Sequence, residues 1–400
     1  VLSIFRPDAV QKAETRRSFR KVILSYLDYC NALHKGGAQV KVKPSTTGLR
    51  LAAVPIRFGL SLALGTLITL LLIGLIPIDS LSLALGDSSS PGDLDITFGS
   101  GGIVTTRIST GPGENAATDV AIQSDGKIVA VGYAPSTTYD FVVVRYTASG
   151  TLDTDFGGGG IVTTPIGSGN DYARSVVIQP DGKIVVAGTA YGDSDLDFAV
   201  ARYTTSGALD TTFGMGGITI TPVGVGNDDL QSVAIQPDGK IVVVGSAYND
   251  SDRDIAVLRY TASGMPDSTF GSSGIVTTPI GPGTDNANDL AIQAGGKIVV
   301  VGQAHNGVDY DFAVLRYTAF GALDSTFGGN GIVTTPIGPG HDSASGLAIQ
   351  SDSIIVVAGQ AHNGSDDDFA LVRYTGSGAL DTTFGSSGIV TTPIGPGTDN

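Results

Sequence analysis

The sequence lacks tryptophan altogether and has a single cysteine among its 400 residues. Because Cys30 has no second cysteine to pair with, no disulfide within the chain can stabilise it, and no cluster of thiolates can hold a metal ion. Stability must therefore come from the packing of apolar residues, which make up 41% of the sequence. The 57 glycines indicate frequent tight turns.

Basic residues are scarce after position 57, where 12 lysines and arginines stand against 35 acids. Residues 1–57, in contrast, hold 11 basic residues and three acids. An acidic region with scattered basic residues offers no positive stripe that could neutralise a phosphate backbone, so we expect no nucleic-acid partner. Glutamate is also rare, since Glu114 is the only one after residue 57, and a hydrolase with paired carboxylates would have to use aspartates.

Residues 58–78 carry no charged side chain and are numerous enough to cross the hydrocarbon core of a bilayer as a helix. The basic residues before this segment and the acidic ones after it predict that the following region is exported. We expect residues 58–86 to form a cleaved signal peptide or, alternatively, a retained transmembrane helix, followed by a linker at 87–93. Residues 1–57 are then a disordered basic segment or the product of a start placed too far upstream.

Five copies of a 57-residue unit fill most of the chain after the linker. The pair Arg-Tyr marks the period, because its arginine recurs as Arg145, Arg202, Arg259, Arg316 and Arg373. A fixed period of this length indicates a propeller, a solenoid or another repeat array. We place the repeats at residues 94–151, 152–208, 209–265, 266–322 and 323–379, with a partial repeat at 380–400.

Each repeat predicts four strands. In the second repeat, short β-branched runs at residues 160–166, 175–179, 183–188 and 197–203 predict a first to a fourth strand of one sheet. The turn Pro180-Asp181-Gly182 joins the second strand to the third, since glycine accepts a positive φ there. In the last repeat Ser353 stands where this glycine is expected, which predicts a strained turn.

These strands predict an all-β fold, a propeller of four-stranded blades preceded by an N-terminal hydrophobic helix. Several strands are apolar at successive positions, as expected when neighbouring blades cover both faces of a sheet. Frequent glycines and β-branched runs argue against a helical solenoid. The repeats allow five blades with one surplus strand, or six or more blades.

The recurring phrase begins Leu-Asp-x-x-Phe-Gly-x-x-Gly-Ile-Val-Thr-Thr and continues with Ala-Ile-Gln-x-Asp-Gly-Lys-Ile-Val-Val-x-Gly and Asp-Phe-Ala-Val-x-Arg-Tyr. This phrase resembles the bacterial delta-60 repeat family, also described as a β-propeller domain of unknown function, over residues 94–400. The resemblance implies a propeller in exported or surface-attached bacterial proteins. It implies no established activity and no catalytic residues.

Aspartates alternate in the loops that precede the fourth predicted strand, and carboxylate oxygens of this kind suit calcium. The candidate ligands are Asp193, Asp195, Asp197, Asp250, Asp252, Asp254, Asp309, Asp311, Asp366 and Asp368. The spacing is incomplete for a helix-hand calcium loop, because a strand follows at once. The alternative is a structural role, in which the last aspartate of each set bonds backbone amides or the recurrent arginine.

The five recurrent arginines would form a ring in a closed propeller. Such a ring predicts either an anion site or, as we favour, a set of struts in which each arginine pairs with a recurrent aspartate. Three histidines remain: His305 and His362, both in Ala-His-Asn-Gly, and His341; none of them has a counterpart in the first three repeats. No nucleophile stands beside a plausible base, so we predict no catalytic residue and no organic cofactor.

We therefore predict an exported or cell-surface propeller that acts without catalysis, as a structural module or as a binder of an extracellular protein or a glycan. Calcium is its one candidate ion, and residues 58–78 would contact the membrane if they are not cleaved. The alternative is an extracellular hydrolase or lyase with a site at the mouth of the central channel. The near-identity of the repeats favours the first prediction, because catalysis generally needs one distinct site.

Overall fold

The computed structural model describes residues 92–109, 113–395 and 397. The expectations for residues 1–91, namely a basic segment, a signal peptide or transmembrane helix and most of a linker, lie outside these residues. Within the described part, no helix has the length and apolar character needed to span a bilayer.

The described residues form five antiparallel sheets of four strands each, and the strands of each sheet are joined in sequence order. We call these sheets blades 1 to 5. The strands of blade 1 are β1 (Ala116–Ile122), β2 (Ile128–Pro135), β3 (Tyr139–Tyr146) and β4 (Ile161–Thr164). This arrangement confirms the predicted all-β class and the four strands per blade.

The other blades repeat this plan. Blade 2 contains β5 (Tyr172–Ile178), β6 (Ile184–Tyr191), β7 (Leu196–Tyr203) and β8 (Ile218–Thr221). Blade 3 contains β9 (Asp229–Ile235), β10 (Ile241–Tyr248), β11 (Arg253–Tyr260) and β12 (Ile275–Thr278). Blade 4 contains β13 (Asn286–Ile292), β14 (Ile298–His305), β15 (Tyr310–Tyr317) and β16 (Ile332–Thr335). Blade 5 contains β17 (Asp342–Ile349), β18 (Ile355–His362), β19 (Asp367–Tyr374) and β20 (Ile389–Thr392).

The blades are offset from the sequence repeats by one strand, because the fourth strand of each blade is encoded at the start of the next repeat. The Ile-Val-Thr-Thr run of the second repeat, predicted as the first strand of its own sheet, is β4 and pairs with β3 of the preceding repeat, with Val162 opposite Val143. The turn between them explains this pairing, because the amide of Asp153 donates to the carbonyl of Arg145 and folds the chain back onto β3. The prediction of a sheet built from one repeat was therefore wrong in this respect.

The first strands of successive blades pack against one another, from β1 to β5 and onward to β17. This places them around a common axis, with the fourth strands outermost. Four apolar clusters each join two consecutive blades; one of them joins Val185 and Phe198 of blade 2 to Ile241 and Tyr260 of blade 3. Every residue of β6 except its last is buried, so both faces of this central strand are covered as the sequence predicts.

A buried hydroxyl pair ties each of the later blades to the one before it. The hydroxyl of Tyr203 in β7 donates to Oγ1 of Thr164 in β4, at 2.8 Å. Burial raises the pKa of Tyr203, so this side chain stays protonated. The equivalent pairs are Tyr260–Thr221, Tyr317–Thr278 and Tyr374–Thr335. A phenol needs a partner when it is buried, and the preceding blade supplies it.

The turn between β17 and β18 gives a stability prediction. Ser353 has φ 68°, in the left-handed region, whereas glycine fills this place in blades 1 to 4. We expect Ser353→Gly to raise the free energy of unfolding by about 0.5 kcal/mol, because relief of the strained φ exceeds the entropic cost of glycine. Urea unfolding measures this difference.

Ser351 provides the control, since it lies in the same turn without a positive φ. We expect Ser351→Gly to lower the free energy of unfolding by about 0.5 kcal/mol through chain entropy alone. Equal losses in the two variants would show that Ser353 carries no strain.

Candidate functional site

The two ends of each blade differ in the residues they present. At the hairpin end, the first strand turns into the second and the third into the fourth. At the loop end, the second strand turns into the third, and the fourth strand leads to the next blade. In blade 1 the turn at residues 123–127 belongs to the hairpin end, and the loop at residues 136–138 belongs to the loop end.

Recurrent charges are paired with one another at the hairpin end. In blade 2, Nε of Arg202 lies 2.9 Å from Oδ2 of Asp210, and Nζ of Lys183 lies 3.1 Å from the same oxygen. The guanidinium also stacks on the ring of Phe213 at 4.7 Å and donates to the carbonyl of Ala262 in the next blade, at 2.6 Å. The five pairs are Arg145–Asp153, Arg202–Asp210, Arg259–Asp267, Arg316–Asp324 and Arg373–Asp381.

This pairing confirms the prediction that each arginine is a strut joined to a recurrent aspartate, and it leaves no ring of unpaired guanidinium groups for an anion. The partner is not the aspartate that opens the third strand. Asp197 and Arg202 lie at opposite ends of β7, and a rise of about 3.3 Å per residue separates them by about 16 Å. The arginine instead meets the aspartate of the Leu-Asp-x-x-Phe-Gly turn.

The recurrent aspartates are held ionised by their partners. For Asp267, burial alone would raise the pKa of the carboxyl. Hydrogen bonds from Thr269 and Lys240 and the charge of Arg259 outweigh this effect and lower the pKa to about 2. These charges therefore serve the framework of the blades.

At the loop end, three blades use an asparagine to join two of the predicted calcium ligands. In blade 3, Nδ2 of Asn249 donates to Oδ1 of Asp252 and to Oδ2 of Asp254, both at 2.9 Å. The amide group thus lies between the two carboxylates and holds the loop against β11. The equivalent groups are Asn306 with Asp309 and Asp311, and Asn363 with Asp366 and Asp368.

Blade 2 lacks this amide donor, because Gly192 stands where blades 3 to 5 have asparagine. A Cβ on Gly192 would lie 2.2 Å from Oδ2 of Asp197, so the carboxylate points directly at this glycine. Asp197 is only 7% exposed. Its burial, reinforced by the negative charges of Asp195, Asp228 and Asp193, raises its pKa to about 6. Blade 2 therefore has a carboxyl that titrates close to neutral pH.

The candidate calcium ligands lie in separate loops, one per blade. Among the residues that the structure describes, no three His, Cys, Asp or Glu side chains are placed to hold a metal ion together. Asp193 and Asp250 are exposed and take no part in the asparagine pairs. In blade 1, Asp140 accepts a hydrogen bond from Oγ of Ser136 at 2.7 Å. In four of the blades the last aspartate of each set thus bonds a nearby side chain, an asparagine amide or a serine hydroxyl. The prediction that it bonds backbone amides or the recurrent arginine was wrong about these partners.

The sequence analysis missed a second set of buried aspartates. Asp171 is fully buried and accepts hydrogen bonds from the amides of Ile166, Gly167 and Tyr191, at 2.7 to 3.2 Å. Burial raises its pKa. Its equivalents are Asp228, Asp285 and Asp342. These residues fix the loop between successive blades, and their 57-residue spacing was the signal that could have revealed them.

A group of three tyrosines lies at the loop end between blades 1 and 2. The ring centroids of Tyr133, Tyr139 and Tyr172 are 5.0 to 5.7 Å apart, and the guanidinium of Arg174 lies 5.7 Å from the ring of Tyr172. We call these four residues the tyrosine cluster. Sequence reasoning missed it, because Tyr133 and Tyr172 have no tyrosine at their places in the other blades, and Tyr139 has one only in blade 4, as Tyr310.

A second aromatic group lies at the loop end between blades 4 and 5. Tyr310 contacts His305 and His341, with ring centroids 5.1 and 5.2 Å apart, and its amide donates to Nδ1 of His341. His362 lies apart from this group, with Nδ1 2.9 Å from Oδ1 of Asp367. Two of the three histidines that looked isolated in the sequence therefore belong to one group.

The stacked blades and their repeated internal charge pairs define this chain as a β-propeller. Each repeat also matches the model of one family, described as a domain of unknown function (DUF5122) beta-propeller, at residues 123–156, 179–213, 236–270, 293–327 and 350–384. No curated protein matches the sequence.

Several solved structures are distantly similar to this chain. A protein of unknown function from Bacteroides caccae is 14% identical, with a TM-score of 0.37, over 69% of this chain and 86% of its own. A gluconolactonase from Xanthomonas campestris is 14% identical, with a TM-score of 0.35, over 61% and 69% of the two chains. An ulvan lyase is 10% identical, with a TM-score of 0.42, over 68% and 70%. Similarities this distant do not indicate function.

Because blade 2 lacks the asparagine amide donor, we predict that removing the charge of Asp197 stabilises the folded protein. Because the pKa of Asp197 lies above its ordinary value, the folded chain binds more protons than the unfolded chain between about pH 4 and 6. The free energy of unfolding therefore falls as pH rises through this window, and the penalty persists at neutral pH. We expect Asp197→Asn to raise the free energy of unfolding at pH 7.5 by about 1 kcal/mol, as measured by urea titration.

Asp254 is the matched control, since it occupies the same place in blade 3 and accepts the amide of Asn249. We expect Asp254→Asn to destabilise the protein, because it removes a charge-assisted hydrogen bond. A loss of stability in both variants would contradict the claim that the charge of Asp197 destabilises the folded protein.

Proposed function

We propose that this chain is an exported or cell-surface propeller of the delta-60 type that binds an extracellular ligand at its loop end without catalysing a reaction. The observation that carries this proposal is the difference between the two ends. Recurrent charges pair with one another at the hairpin end, whereas aromatic and polar side chains that differ between blades gather at the loop end. Binding residues typically occupy such variable positions on a rigid scaffold.

The tyrosine cluster supports a glycan as the ligand. Tyrosine offers an apolar ring face together with a hydroxyl that both donates and accepts hydrogen bonds. Arg174 adds guanidinium N–H donors beside these rings, and its Nη2 also lies 3.8 Å from Oδ1 of Asp229. A polyhydroxylated molecule can use both features at once, with its C–H groups against the rings and its hydroxyls towards the polar atoms. A protein ligand with an exposed loop is the other outcome that a binding test distinguishes.

The test is retention of the purified protein on a panel of immobilised neutral and acidic polysaccharides. We expect the double variant Tyr133→Ala and Tyr172→Ala to weaken the interaction at least about tenfold, since two aromatic contacts of about 1 kcal/mol each are removed. Biolayer interferometry gives the dissociation constants. Thermal unfolding of the same variant verifies that the blades remain folded.

Phe320 provides the control, because it is 71% exposed and lies at the hairpin end. Phe320→Ala is expected to leave glycan retention unchanged. Equal binding by the double variant and the parent protein would exclude the tyrosine cluster as the glycan site.

Calcium is proposed as a ligand of blade 2 alone. Asp193, Asp195 and Asp197 carry three carboxylates without an asparagine amide between them, and calcium takes oxygen ligands from flexible loops. Because these side chains do not converge, binding requires the loop at residues 192–195 to close around the ion. We expect isothermal titration calorimetry to show a single site that Asp197→Asn abolishes and that Asp254→Asn retains. Absence of heat in the parent protein would remove this part of the proposal.

An extracellular hydrolase or lyase is the second candidate. One observation favours it, since a carboxyl with a pKa of about 6 such as Asp197 suits general acid or base catalysis near neutral pH. The polysaccharide panel separates the two candidates. New reducing ends or unsaturated products that disappear in Asp197→Asn would show catalysis, whereas binding without product formation supports the non-enzymatic propeller.

A further inference from the structure

One face of blade 1 lacks the covering that its counterparts have. Ala117 in β1 is exposed, although the residues at this place in the other four blades are fully buried. Those residues are Ala173, Leu230, Ala287 and Ala344. In β2, Ile128 and Ala130 are half-buried, while the equivalent pair in blade 2, Ile184 and Val186, is fully buried. We call the surface formed by Ala117, Ile128 and Ala130 the open face.

The preceding blade covers this kind of face in the four interfaces that exist. Against blade 2, the covering side chains are Val129 and Val131 of β2 and Phe141 and Val143 of β3. The second and third strands of a blade are therefore the elements that bury the next one. Only apolar side chains in this arrangement complete the cluster, because the interior leaves no room for unpaired polar groups.

Residues 94–106 already lie on blade 1 as the outer part of a preceding blade would. The hydroxyl of Tyr146 donates to Oγ1 of Thr106 at 2.7 Å, and the amide of Gly99 donates to the carbonyl of Ser149 at 2.8 Å. The same contacts join blade 2 to blade 1 through Tyr203–Thr164 and Gly157–Ser206. We call residues 94–106 the outer segment, since they occupy the place of a fourth strand and its turn.

The outer segment has no sheet of its own in the described part of the chain. Its residues 103–106 correspond to β4, which pairs along β3 with Ile161 opposite Val144. Residues 104–106 belong to no strand ladder in the described structure. Residues 103–106 thus occupy the place of a fourth strand beside blade 1, while no strands among the described residues fill the first three places of that sheet.

We propose that the open face and the outer segment together form a docking site for a three-stranded sheet of the same repeat. The incoming sheet would supply strands one to three of a sixth blade, and residues 103–106 would become its fourth strand. Backbone hydrogen bonds to residues 103–106 would fix its register. Its second and third strands would bury the open face, as those of blade 1 bury blade 2.

Blade 5 does not fit this site. Its third strand, β19, already pairs with β20, with Leu371 opposite Val390, so its fourth place is filled. Blade 5 of a second copy is excluded for the same reason, because β20 and the outer segment would compete for one strand edge. Consistently, buried apolar residues of blades 1 and 5 that belong to none of the four clusters between blades form two separate small clusters rather than a shared one. Only a unit without a fourth strand matches the site.

The test is the full chain with a copy of residues 287–322 fused after Asn400. Residues 391–400 repeat residues 277–286 letter for letter, so the fusion reproduces the junction that leads into β13. We expect amide hydrogen exchange at residues 104–106 to slow at least about tenfold, because these amides gain partners. The thermal midpoint should rise by about 5 °C as the open face becomes buried.

The control is the same fusion with Phe312→Asp and Val314→Asp within the added copy only. It keeps the length of the fusion but places charges against the open face, so exchange and midpoint should match those of the parent chain. Unchanged exchange in the unmodified fusion would overturn the proposal. Slow exchange at residues 104–106 in the parent chain would also overturn the proposal. Sedimentation of the parent protein would then identify the occupant. A dimer would indicate a second copy, and a monomer would indicate residues 1–91.

Discussion

The structure depends on burial between blades, because a sheet that is apolar on both faces cannot be covered by its own residues. The second and third strands of each blade have side chains such as Val185 and Val186 pointing in opposite directions, and each of them enters a different cluster. One blade alone would leave one or both of these faces in water. Stability is therefore a property of neighbouring pairs, as in other repeat proteins, and the absence of disulfides is compensated by continuous packing.

The polar framework follows from the same constraint. A guanidinium that enters an interface between blades needs a carboxylate, an aromatic face and a carbonyl, and Arg202 finds these in Asp210, Phe213 and Ala262. Burying such a pair contributes little net stability, but leaving either partner alone would be costly. The arginine and the aspartate therefore recur together in every repeat. Their value lies in the single register that they impose on adjacent blades.

Periodicity made most of the fold predictable from the sequence, including the strands, the hairpin turns and the pairing of arginine with aspartate. The offset between repeat and blade was not predictable from periodicity, because a periodic pattern has no intrinsic beginning. Only the turn that carries Asp153 decides that β4 folds back onto β3. The tyrosine cluster was not predictable from the sequence for a different reason. Tyr133 and Tyr172 lie in different repeats, and their contact arises from the packing of blade 2 on blade 1.

Differences between repeats at the loop end can mark a distinct site because the rest of the framework is the same in every blade. Asn249 stabilises the loop of blade 3 by donating to two carboxylates. In blade 2, Gly192 replaces this asparagine, so Asp197 is buried without the side-chain amide donor. A single substitution thereby converts a structural carboxylate into one whose charge changes near neutral pH. Because the blades are otherwise equivalent, such local departures are the means by which a symmetric scaffold acquires one distinct site.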